Sequence, residues 1–155
     1  MYKIGISGLV SGPSIVKELR ELFVKEPQKP LISLIEEGTE AAKRDILLLN
    51  EPFPGTFNSF EMLGETLVIN SDEKALEDFI GLIRPRLIIT YGFNSKASVT
   101  ASSLSEGVCC VCVQRAFTTM SGIRRERQEF TIPSSNPSVT LAAVSAALAA
   151  GWEGL

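Results

Sequence analysis

The 155 residues predict an α/β fold: a mostly parallel, doubly wound sheet flanked by helices, plus a small antiparallel sheet. Three observations lead there. Short apolar runs alternate with amphipathic stretches as far as Thr90, the pattern of strand–helix units. One of those runs, Ile46-Leu-Leu-Leu49, is apolar without a break, as in a parallel strand buried on both faces. After Thr90 the pattern changes to closely spaced strand-like segments with short turns, the connection that antiparallel pairing allows.

Tyr2, Ile4 and Ile6 recur at period two, so Lys3 to Ser7 is the first strand. Gly5, Gly8 and Gly12 mark a glycine-rich turn after it. Pro13 suits a first helical turn, where its missing N–H costs nothing. Ile15, Val16, Leu19, Leu22 and Phe23 then fall on one helical face, and Pro27 and Pro30 end the unit. Leu31 to Ile35 is a short strand, followed by Glu36-Glu37-Gly38 and a helical turn over Thr39 to Lys43. Ile46 to Leu49 is the next strand. Glu51 to Ser59, with Pro52, Pro54 and Gly55, is a loop, and Thr66 to Ile69 is a strand again. Ser71 is expected to cap a helix that carries Asp72 and Glu73 in its first turn and Leu76, Phe79, Ile80 and Ile83 on its apolar face, with Pro85 closing it. Leu87 to Thr90 is a strand. Val99 to Ser102, Gly107 to Arg115 and Gln128 to Ile132 form the antiparallel sheet. The last helix runs from Pro137 to Ala150, capped by Asn136 and stopped by Gly151. Residues 1–155 read as one domain of ordinary size.

Composition excludes several classes. The sequence is 45% hydrophobic and 21% charged, which is globular and not disordered. A net charge of −3 gives no basic surface for nucleic acid. Arg124, Arg125 and Arg127 form the one basic cluster, which Glu126 and Glu129 interrupt; it reads as a solvated turn. The longest apolar stretch, Leu141 to Ala150, is too short to span a bilayer, no signal peptide is visible, and a cytoplasmic protein is the expectation. Cys109, Cys110 and Cys112 lie on one strand, with Cys110 and Cys112 sharing a face; this is no disulfide framework. With no histidine in the chain, Ser-His-Asp triads, His-metal clusters and imidazole acid–base chemistry are all excluded.

Several segments occur in a telling order: Ile4-Gly-Ile-Ser-Gly8, Asp45-Ile-Leu-Leu-Leu-Asn50, Leu67-Val-Ile-Asn70, Ile88-Ile-Thr-Tyr-Gly-Phe-Asn94, Ala97-Ser-Val-Thr-Ala101, Ile132-Pro-Ser-Ser-Asn136 and Leu141-Ala-Ala143. In order and spacing they resemble the central, ATP-binding domain of the Mur ligases, the ATP-dependent amide-forming enzymes of peptidoglycan synthesis. That resemblance spans nearly the whole chain and implies a Rossmann-like sheet. It also implies a phosphate loop at Gly8, Ser11, Gly12 and Ser14, a nucleotide contact at Asn136, and Mg²⁺ held by Ser14 and by Glu36 or Glu37. ATP and Mg²⁺ are the cofactors it would bring.

The chain departs from the pattern where the chemistry sits. Pro13 stands where the phosphate-loop lysine should be, so a charge and an N–H are both missing, and the loop is one residue longer. The histidine-bearing segment after the third strand has no counterpart. The helix that would carry the carbamylated lysine is deleted between Glu61 and Thr66, and Ser135 and Val139 replace a His and an Asn. Gly8 to Ser14 is thus either a weak anion site or a plain glycine turn. Phe53, Phe57, Phe60 and Met62 either dock a protein partner or a second copy, or cover the sheet. Three functions follow as expectations: a non-catalytic Mur-ligase-like binding or regulatory module related to the cell wall, a nucleotide-dependent ligase subunit completed by a partner chain, or a small-ligand binding protein working without ATP.

Overall fold

The computed structural model describes residues 2–8, 10–35, 44–51, 65–77 and 85–154. Lys3–Ser7 (β1) turns through glycine into Gly12–Leu22 (α1), and Leu31–Leu34 (β2), Ile46–Leu49 (β3) and Thr66–Asn70 (β4) follow. A short 3-10 turn at Lys74–Leu76 precedes Leu87–Tyr91 (β5). Then come Val99–Ser105 (β6), Val108–Val113 (β7), Phe117–Thr118 (β8), Arg124–Arg125 (β9), Gln128–Pro133 (β10) and the helix Pro137–Ala149 (α2). The expected helical turn over Thr39 to Lys43, the residues Phe53, Phe57, Phe60 and Met62, and the apolar positions Phe79, Ile80 and Ile83 lie outside the described residues.

Eight strands form one sheet in the order β10-β7-β6-β5-β4-β3-β1-β2. From β2 to β6 every pairing is parallel; β6–β7 and β7–β10 are antiparallel. The three late strands therefore pair as expected, yet they extend the main sheet: β6 joins β5 through the pair Tyr91 and Val99. Local periodicity shows that these strands pair with one another; it carries no mark of the open β5 edge that receives them. The separate small antiparallel sheet is the two-stranded β8–β9 ribbon.

α1 and α2 lie side by side on one face, over Ile4, Ile6, Ile46, Leu48, Val68 and Ile89. Every residue of α2 from Val139 to Ala149 is buried. Its Ala-rich sequence, apolar all round, suits a helix enclosed on every side. On the opposite face Leu47, Leu49, Leu67 and Ile69 are buried as well, so β3 and β4 are covered twice, as the unbroken apolar run requires. Cys109 is buried, and Cys110 and Cys112 are half-buried on the other side of β7.

The ends of α2 match the sequence. Asn136 accepts a hydrogen bond from the N–H of Val139. Gly151, at φ 89°, lets the chain reverse so that the N–H groups of Gly151 and Trp152 reach the carbonyls of Leu148 and Ala147 at 3.3 and 2.9 Å. Two expectations are corrected. Ser71 caps no helix: its N–H continues the ladder to the Tyr91 carbonyl at 2.8 Å, and its hydroxyl donates to the same oxygen at 3.1 Å. Nor is the whole arginine cluster solvated. Arg124 is exposed beside Glu126, but Arg125 is buried and donates to the carbonyls of Trp152 at 2.6 Å and Leu148 at 3.4 Å. Strand alternation turns it inward, and the acceptor-rich, negative end of α2 receives it. Among the described residues no helix is long and apolar enough to cross a membrane.

Candidate functional site

The sheet has one reversal of strand order in its parallel part: from β1 the chain moves outward to β2, then returns to place β3 on the other side. The crevice beyond the carboxyl ends of β1 and β3 is where open α/β sheets bind ligands. β1 delivers Gly8 and Ser11 to it; β3 delivers Asn50 and Glu51. Gly8 adopts φ 127°, a conformation open to glycine and strained for other residues. The turn is closed by the Gly12 N–H on the Gly8 carbonyl at 3.1 Å. The crevice holds the chain's own carboxylate. Glu51 Oε1 accepts the Ser11 N–H at 2.8 Å and the Asn50 side-chain amide at 3.4 Å. A Cβ added to Gly8 would stand 3.3 Å from the Glu51 carboxyl carbon. Helix N-termini present free N–H groups to anions, and here Glu51 is that anion.

The neighbouring strand ends are tied together in the same way. The buried Tyr91 hydroxyl donates to Asn50 Oδ1 at 2.7 Å, and the Asn70 amide donates to the Asn50 carbonyl at 3.2 Å. Asp72 accepts the Phe93 N–H and the Asn94 amide, at 2.7 and 2.8 Å. Burial, followed by the negative charges of Glu51 and Asp72, pushes the Tyr91 hydroxyl well above its usual range. It is a hydrogen-bond donor and not a base. Gly92 lets this packing happen, since a Cβ there would meet Asp72 Oδ1 at 2.7 Å.

A second concavity lies between α1 and the start of α2. Ser14, Lys17, Glu18 and Glu21 share one side of α1, Lys25 follows just beyond its end, and Ile132, Ser134, Asn136, Val139 and Trp152 face them across a cleft of about 980 Å³. Glu18 accepts a hydrogen bond from the Thr140 hydroxyl, whose oxygen lies 2.6 Å from Ser134 Oγ. Burial pushes the Glu18 carboxyl up; the Thr140 hydrogen bond opposes that, and the charge of Glu21 adds to it.

The residues expected to form one site are thus divided. Gly8 and Ser11 line the crevice. Gly12 is buried against Leu34, where a Cβ would come within 2.7 Å, so it serves packing. Ser14 and Asn136 meet on the cleft. Glu36 and Glu37 lie outside the described residues. The sequence alone does not single out Glu51, Asn50 or Glu18. The signal for Glu51 was an acidic residue directly after the strand that borders the glycine turn, which becomes visible once the strand order is known.

No family model matches this sequence, and no curated protein matches it. Solved structures do. One is UDP-N-acetylmuramoylalanyl-D-glutamyl-2,6-diaminopimelate--D-alanyl-D-alanyl ligase from Acinetobacter baumannii, with TM-score 0.66 and 11% identity over 97% of this chain and 43% of that one. A structure of MurF from the same organism gives the same values. A murein peptide ligase, Mpl, from Psychrobacter arcticus 273-4 has TM-score 0.64 and 10% identity over 99% of this chain and 47% of that one. The fold is shared with Mur ligases. At this identity the likeness concerns the fold alone, and the chain spans less than half the length of the ligases it matches.

A nucleotide triphosphate with Mg²⁺ is the group that a Mur-ligase-like fold implies. The described residues of the crevice do not fit it. The Ser11 N–H that would meet a phosphate already holds a carboxylate, Pro13 supplies neither charge nor N–H, and Ser14 lines the other concavity. Among the described residues no group of His, Cys, Asp and Glu side chains is placed to hold a metal ion.

Proposed function

We propose that the chain is a non-catalytic Mur-ligase-like domain that works as a binding or regulatory module in the cytoplasm, acting with a protein partner or a second copy of itself. A connection with the cell wall comes from the fold and from nothing more specific. The observation that supports a non-catalytic role best is the contact of Glu51 with Ser11. A phosphate brought to the glycine turn would meet the negative charge of Glu51 on the Ser11 N–H, with no loop lysine to offset it. Two like charges a few ångströms apart in a partly buried crevice repel strongly. The same contact weighs against the ligase-subunit alternative, because a partner chain can add a missing lysine but leaves the intramolecular carboxylate in place.

Calorimetric titration of the chain with Mg-ATP tests this. The expected outcome is no heat of binding from a protein whose circular dichroism and melting transition show it folded. Saturable binding with a micromolar Kd would overturn the non-catalytic role.

A further inference from the structure

We infer that the cleft between α1 and the start of α2 binds a small organic ammonium compound, an amine carried on an apolar body, with Glu18 as its counter-ion. This rests on the reading of the chain as a binding module and names the chemistry of what it binds. The cleft, about 980 Å³, falls at the upper end of the ~300–1,000 Å³ typical of small-ligand sites. Leu22, Ile132, Val139 and Trp152 supply apolar wall, and Glu18 is a half-buried carboxyl on it.

Glu18 has a hydrogen-bond partner but, among the described residues, no cation beside it. Thr140 has one hydroxyl proton and spends it on Glu18. Ser134 must then donate to Thr140, so both hydroxyls point their protons along a chain that ends at the carboxylate. Such a chain offsets part of the burial that disfavours the charge, and leaves the rest uncompensated. Among the described residues, neither Lys17 nor Lys25 pairs with Glu18, although both border the same cleft. A half-buried carboxylate without a counter-charge is costly, and a ligand ammonium would remove that cost. The formal charge of the cleft favours a cation too: Glu18, Glu21 and Glu26 outnumber Lys17 and Lys25.

Trp152 lines the cleft and is the only tryptophan of the chain, so its fluorescence reports on occupancy. Phenethylamine is the probe, and phenylacetate, of like shape and opposite charge, is the control. The wild-type protein is expected to bind phenethylamine saturably, by Trp152 emission and by calorimetry, and to ignore phenylacetate. Glu18→Gln keeps the hydrogen bond from Thr140 and is expected to lose at least about tenfold in affinity. Ser135→Arg, at an exposed position on the same cleft, adds a repelling charge without touching the core and is expected to weaken binding as well. Absence of saturable phenethylamine binding to the wild type, equal binding of phenylacetate, or unchanged affinity in folded Glu18→Gln and Ser135→Arg would each overturn the inference. Should Glu18→Gln not fold, Ser135→Arg decides alone. The Mg-ATP titration stands apart: ATP binding beside intact amine binding overturns only the non-catalytic role, and amine failure without ATP binding overturns only the ammonium site.

Discussion

The crevice beyond β1 and β3 and the cleft between α1 and α2 each contain a partly enclosed carboxylate, and the fold treats the two in opposite ways. Glu51 is held by a backbone N–H and an asparagine amide, and the polar groups around it are matched to one another through Asn50, Asn70, Asp72, Tyr91 and Asn94. Glu18 has a hydroxyl partner, pays a desolvation cost, and borders open volume. The difference teaches where binding capacity lies in an eroded site. Satisfied polar groups have nothing left to offer a ligand, while an unmatched one in a concavity does. Crevice substitutions should accordingly damage stability, and cleft substitutions should spare it.

The largest effect is expected from Tyr91→Phe. It removes one hydroxyl and leaves the buried Asn50 Oδ1 without its donor. An orphaned buried acceptor costs about 1–3 kcal/mol. Urea unfolding followed by circular dichroism should show the midpoint fall by a corresponding amount with the slope unchanged. An unaltered midpoint would mean that the network does not hold the crevice closed, and the contrast with the cleft would collapse.

Glu51→Ala comes next. It deprives the Ser11 N–H of its acceptor at the start of α1, and loss of such a terminal acceptor costs about 0.5–2 kcal/mol. The same change sharpens the comparison, because it empties the crevice of its anion. Inorganic phosphate should then raise the melting temperature of Glu51→Ala and leave that of the wild type unmoved. A similar phosphate response in both proteins would show that Glu51 never filled the anion position.

Much of this molecule can be read from local sequence. Lys3–Ser7 and Ile46–Leu49 were bounded correctly because alternation, or its complete absence, depends on the residues themselves. The Asn136 cap and the Gly151 stop are equally local. What escaped is what distant pairing decides. Ser71 looks like a cap, but β5 claims its N–H and hydroxyl. Arg125 looks solvated until the end of α2, more than twenty positions away, presents its carbonyls. The glycine turn was legible, whereas its resident anion arrives from 40 residues downstream. Glu18 resembles any glutamate on the polar side of an amphipathic helix. Only its partner Thr140, 122 positions on, reveals that it faces inward.

The smallest effect, and the finest probe of the contrast, is the response of stability to pH in Glu18→Gln. Burial raises the carboxyl above its ordinary value of 4.5 in the folded protein. As pH rises through that region the unfolded chain releases the proton first, so the folded state binds more protons and wild-type stability falls. Glutamine does not titrate. The variant should therefore match the wild type below about pH 4 and exceed it at pH 7, by under about 1 kcal/mol because the group is partly solvated. Melting temperatures of the two proteins across that range make the measurement. A variant less stable at pH 7 would show Glu18 to be as well satisfied as Glu51. A variant more stable at pH 7 that has also lost phenethylamine would show a carboxylate retained at a cost to the fold, as is common where a residue serves binding rather than stability.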